Sequence, residues 1–126
     1  MNLKVLSVDD SSTILKHLDY MLTNIEHIDW IGHAYELSKA KKMIVKHLPD
    51  VVLLDIMVND ENGFELLHYI KCNFPKTVVL MLSNVSDEIY IKKSIQMGAC
   101  RYIDKSFEFY LIEDILNTIY ETKKAG

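Results

Sequence analysis

No apolar run in the sequence approaches the ~20 residues needed to span a bilayer. The opening MNLKVLSVDD lacks the apolar core of a signal peptide. Both absences point to a cytoplasmic protein without a membrane segment. Cysteine is scarce: Cys72 and Cys100 are the two present. They fall inside apolar segments, which argues against a disulfide framework and for two buried thiols in a reducing compartment. There is no excess of basic charge. The net charge of -4 argues against non-specific binding of nucleic acid, which usually needs a basic stripe. No repeat, low-complexity tract or linker interrupts the 126 residues, so a single domain spanning 1–126 is expected.

What is present is an alternation of two periods. Short apolar runs at Leu3 to Val8, Ile28 to Ala34, Val51 to Leu54, Val78 to Leu82 and Arg101 to Ile103 read as strands. Three are almost continuously apolar, as parallel strands covered on both faces should be. Helical patterns lie between them. Ser11 or Ser12 caps a helix with Ile14, Leu18, Met21 and Ile25 on one face. Leu37, Ala40 and Ile44 mark a second helix. Gly63 to Asn73 forms a third, stopped by Pro75. Ser86 caps a fourth, with Ile91 and Ile95 facing inward and Gly98 ending it. Ser106 begins a fifth, striped by Ile112, Ile115, Leu116 and Ile119. Five βα units with right-handed crossovers predict a three-layer, doubly wound (βα)5 sandwich around a parallel five-stranded sheet.

Ligands of open parallel sheets bind at the carboxyl ends of the strands. There the sequence places Asp9-Asp10 after the first run, Asp55 after the third, Ser83 after the fourth and Lys105 after the fifth. The second run ends in Ala34-Tyr35-Glu36, with no comparable cluster. The flavodoxin-like strand order 2-1-3-4-5 would bring the four polar ends into one arc and leave the silent second strand outside it. Three clustered carboxylates repel one another. Lys105 offsets one charge, and a hard divalent cation such as Mg2+ would offset two more. This set suits phosphoryl transfer: Asp55 as nucleophile, Mg2+ and Lys105 neutralising charge, and the Ser83 hydroxyl donating to a phosphoryl oxygen.

These residues resemble the receiver domains of two-component response regulators, the CheY-like superfamily, over essentially the whole chain. Val8-Asp9-Asp10-Ser11 resembles the acidic pair. Leu53-Leu54-Asp55-Ile56-Met57, with Gly63 beyond it, resembles the phosphoacceptor strand. Leu82-Ser83 resembles the switch hydroxyl. Gly98-Ala99-Cys100-Arg101-Tyr102-Ile103-Asp104-Lys105 resembles the segment with the switch aromatic and the lysine. The resemblance implies a phosphorelay protein that accepts a phosphoryl group on Asp55 from a sensor histidine kinase or a histidine phosphotransfer protein. It implies Mg2+ held directly by Asp10, Asp55 and the backbone carbonyl of Met57, and by Asp9 through water. Tyr102 would turn inward when Ser83 moves to the phosphoryl group. The signal would leave through the fourth helix, fifth strand and fifth helix to a downstream effector or in a homodimer, with no direct contact to nucleic acid. Such a domain is no enzyme toward other substrates; it catalyses its own phosphorylation and slow dephosphorylation. Met57, Asn84 and Val85 are the positions expected to set that loss.

Three positions depart from the pattern. Asn59 stands where the family has proline, which is expected to alter loop stiffness alone. Ser106 replaces a common proline and leaves the Lys105–Ser106 peptide geometry open. Asn84 follows Ser83 where Ala or Gly is usual and should narrow access to Asp55. The five histidines, His17, His27, His33, His47 and His68, show no ligand spacing. Competing functions have specific obstacles. A pseudo-receiver would not need the complete Asp9, Asp10, Asp55, Ser83 and Lys105 set. A haloacid-dehalogenase-type phosphatase needs a second Asp where Met57 stands. A flavodoxin-like cofactor site needs a less acidic loop than Asp-Asp-Ser-Ser-Thr. The 126 residues contain no effector domain, so the chain is either a stand-alone receiver or the front of a longer regulator.

Overall fold

The computed structural model describes residues 1–84 and 87–125. Five parallel strands, β1 (Leu3–Val8), β2 (Ile28–Ala34), β3 (Val51–Asp55), β4 (Val78–Ser83) and β5 (Arg101–Asp104), form one sheet in the order β2-β1-β3-β4-β5. Helices α1 (Ser12–Leu22), α2 (Leu37–His47), α3 (Gly63–Asn73), α4 (Glu88–Gln96) and α5 (Leu111–Ala125) fill the connections. The expected fold and strand order are therefore observed. Strands β3, β4 and β5 each extend one residue beyond the apolar run, to Asp55, Ser83 and Asp104. The polar residue at each end is thus still held by the ladder.

Alternation along the strands divides the core into two layers. Leu6, Val8, Val52, Leu54, Val79 and Met81 pack with α2 and α3. Leu3, Val5, Val51, Leu53, Leu80 and Ile103 pack with α1 and α5. Ser11 is the cap of α1 and accepts from the Ile14 N–H.

Several expectations need correction. Ser86, the expected cap of α4, lies outside the described residues; Asp87 accepts from the Ile89 N–H and caps the helix. Ile95 is 48% exposed, whereas Ser94 is buried and Met97 is half-buried against the core. Ile91 is half-buried as expected, but the inward position one turn later is Ser94 rather than Ile95. The fifth helix begins at Leu111 rather than Ser106. Asp104 intervenes, because its carboxylate accepts from the N–H groups of Ser106 and Phe107 and closes a turn first. Cys72 and Cys100 are exposed rather than buried. Cys72 lies on the outer side of α3, whose inward side is taken by Phe64, Leu66, Leu67 and Ile70. Cys100 precedes β5, on the chain connecting α4 to the sheet. No described peptide bond is cis, which answers the Lys105–Ser106 question. Among the described residues no helix is long and apolar enough to cross a membrane.

Candidate functional site

The strand ends bring Asp9, Asp10 and Asp55 together, each offering a carboxylate oxygen within 4.8 Å of the others. Lys105 reaches into this group from the end of β5. Its Nζ lies 2.6 Å from Asp9 Oδ2 and 2.9 Å from Asp55 Oδ2. Asp9 is 1% exposed, so its charge depends on that ammonium and on the Ser11 N–H, which donates to Oδ1 at 2.9 Å. Asp10 points outward and accepts from the Asn59 N–H at 3.1 Å.

Burial pushes the Asp55 carboxyl above the usual aspartate range; Lys105 and the Met57 backbone N–H oppose this without cancelling it. Burial also disfavours charge on Lys105. Its bonds to Asp9 and Asp55 outweigh that cost and hold the ammonium above the usual lysine range. The donor set is all oxygen and negatively charged, so it fits a hard divalent cation.

A cleft of about 300 Å³ opens over Asp55 and Lys105, with Met57, Asn84, Phe64 and Tyr90 among its walls. Met57 is exposed at its rim. Asn84 Oδ1 accepts from Ser106 Oγ at 3.4 Å, so two departures from the family pattern contact each other. Val85 lies outside the described residues. Ser83 is buried and its side chain is hydrogen-bonded to the Tyr102 phenol, while its carbonyl accepts from Lys105 N–H. Tyr102 is half-buried against the α2–α3 layer and so already lies inward; burial, foremost, raises its phenol pKa.

Two contributors were not anticipated. The first is the Ser7–His33 pair, opposed in the β1–β2 register. His33 Nε2 donates to the Asp9 carbonyl at 2.8 Å, which leaves Nδ1 to accept from the buried Ser7 hydroxyl. A serine inside an otherwise apolar strand was the available signal. The second is Asn59. It and Asp60 both have positive φ, 51° and 64°, forming the two-residue turn between the short strands Met57–Val58 and Glu61–Asn62. Proline has neither that φ nor an N–H for Asp10. Asn59 thus affects the site itself, which corrects the expectation of loop stiffness alone.

Comparison with known proteins places this geometry. Residues 5–117 match the family described as response regulator receiver domain. The sensory transduction protein LytT of Bacillus anthracis is 32% identical over 97% of this chain and 48% of that protein. The transcriptional regulatory protein DcuR of Escherichia coli K12 is 31% identical over 98% of this chain and 52% of that protein. The chain therefore spans about half the length of these curated relatives. The signal receiver domain of a LuxO repressor protein from Vibrio parahaemolyticus superposes with a TM-score of 0.88 at 21% identity, covering 99% of this chain and 95% of that one. The fold, the strand-end constellation and the family match agree: this chain belongs to the response regulator receiver domains of two-component systems.

Proposed function

We propose that Asp55 accepts a phosphoryl group from a phosphohistidine on a sensor histidine kinase or a histidine phosphotransfer protein. The observation that carries this reading is the Asp9, Asp10 and Asp55 cluster, bridged by one buried ammonium at the floor of an open cleft. A carboxylate oxygen of Asp55 attacks phosphorus as the phosphorus–nitrogen bond breaks, and the donor histidine, protonated on its other ring nitrogen, leaves as neutral imidazole. Lys105 is placed to exchange its bond to Asp55 for one to an equatorial phosphoryl oxygen. Asp10, Asp55 and the Met57 carbonyl would hold Mg2+, with Asp9 behind a water. The ion supplies charge neutralisation at the phosphoryl oxygens.

Ser83 donates to another phosphoryl oxygen, which alters its hydrogen bond to the Tyr102 phenol. That change is the differential contact through which the site biases α4, β5 and α5. The exposed Ile89, Phe107 and Tyr110 around that surface suit a downstream partner or a second copy. Neither Met57 nor Val85 can hold a water by a strong hydrogen bond, so self-dephosphorylation is slow, and Asn84 narrows entry further. The domain is read as 1–126, cytoplasmic, and without nucleic-acid contacts of its own.

The test is beryllium fluoride with Mg2+, followed by NMR. Wild type should shift resonances from the strand ends to Tyr102, and Asp55→Asn should not respond. An Asp55→Asn response equal to wild type would remove Asp55 as the acceptor.

A further inference from the structure

The cleft over Asp55 has two cations in its wall, and they are engaged differently. Lys105, at the floor, is bound to Asp9 and Asp55. Lys93, on α4, is exposed, and among the described residues no carboxylate lies within ion-pairing distance of it. Its Nζ rests instead 4.5 Å from the centroid of the Phe64 ring. Tyr90, one turn earlier on the same side of α4, meets that ring too, with centroids 6.2 Å apart. Phe64 is buried and belongs to the anchored first turn of α3. The Lys93 ammonium is therefore held at the mouth of the cleft by a fixed ring.

The charge of the floor gives that position a consequence. Asp9, Asp10 and Asp55 set three carboxylates against the one ammonium of Lys105. An arriving phosphoryl group is itself anionic and is repelled there. A cation at the mouth offsets that repulsion before the group reaches Asp55. An exposed cation–π contact is weak, so the ammonium can leave the Phe64 ring for a phosphoryl oxygen, which offers a charge-assisted hydrogen bond in its place.

Resting on the assignment of Asp55 as acceptor, we propose that Lys93 recruits the phosphodonor. Its ammonium leaves Phe64, binds a phosphoryl oxygen at the mouth and directs the group toward Asp55 and Lys105. Lys93 makes and breaks no bond to phosphorus; the transfer stays with Asp55.

The test follows initial rates of phosphorylation of the full chain by phosphoramidate, at fixed Mg2+, by intact-mass spectrometry, with Asp55→Asn as the blank. At an ionic strength of about 0.1 M, where screening acts over about 10 Å, Lys93→Gln should lower the second-order rate constant about fivefold and Lys93→Glu further. Lys93→Arg should keep the wild-type value. Lys92→Gln removes the same charge from a residue outside the cleft wall and should cost less than about twofold. At about 1 M salt the screening length falls to about 3 Å, and the Lys93→Gln deficit should shrink below about twofold. Wild type that gains no more phosphoryl mass than Asp55→Asn would overturn the acceptor assignment and this role with it. Wild type phosphorylated on Asp55, but with Lys93→Gln just as fast, with its deficit untouched by salt, or with Lys92→Gln equally slow, would overturn the role of Lys93 alone.

Discussion

Helices α3 and α4 occupy successive crossovers yet are attached very differently. α3 buries Gly63, Phe64, Leu66, Leu67 and Ile70, and its first residue abuts the backbone of Asp55. α4 buries Ser94 alone and leaves Ile89 72% exposed. Apolar burial contributes roughly 25 cal/mol per Å², so the packing that anchors α3 is largely missing from α4. One side of the cleft is consequently a fixed wall, and the other is held by few contacts beside Ser83 and Tyr102. Elements that move in signalling are drawn from the weakly held end of this range.

The largest effect should come from breaking the fixed wall. A Cβ at Gly63 would collide with the Asp55 carbonyl oxygen and lie 2.9 Å from that of Ile56. Backbone cannot yield as a flexible side chain would, so Gly63→Ala should lower stability by about 3 kcal/mol in urea unfolding. It should also lose the beryllium fluoride response. Next, Leu67→Ala should cost about 3 kcal/mol, against less than about 0.5 kcal/mol for Ile95→Ala. Equal urea midpoints for those two variants would end the contrast between the helices.

Asn59→Pro sharpens the comparison at the acidic end. It demands a φ near -65° where 51° is found and deletes the N–H that holds Asp10. Stability should fall by more than about 1 kcal/mol, and Mg2+ titration should show weaker binding. On the loosely held side, Tyr102→Phe should cost about 1 kcal/mol, since it removes the hydrogen bond to Ser83. The raised phenol pKa carries a sign. Its contribution is complete below the unfolded value of about 10 and is lost as pH rises through the higher folded value. Ultraviolet titration should therefore show Tyr102 ionising above the usual tyrosine range, and Ser83→Ala should move that titration, because a bonded neighbour is removed.

Legibility followed the range of the interactions. Asp9, Asp10, Asp55, Ser83 and Lys105 could be placed because each follows an apolar run and the sheet aligns the ends of such runs. The His33 bond to the Asp9 carbonyl and the Asn59 bond to Asp10 were not legible. They join residues 24 and 49 positions apart, and no local pattern encodes such a pair. Periodicity puts Ile91 inward correctly but cannot tell that Ser94, rather than the equally apolar Ile95, lies beneath α4 one turn later. Cys72 and Cys100 were misplaced for a related reason: an apolar neighbourhood in sequence does not specify which face of α3, or which end of β5, a thiol occupies.

By itself, the sequence determined the alternation of strand and helix, the parallel sheet and the set of polar residues at its carboxyl edge. These follow from periodicities of two and 3.6 and from local capping, which neighbours within a few residues decide. Only the tertiary structure decided that Lys105 would bridge Asp9 and Asp55, that Asn59 would hold Asp10, that Tyr102 would bond Ser83, and that α4 would remain lightly packed. Each depends on strand register and on competition for a finite buried surface. Those are properties of the assembled sheet, and no single segment contains them.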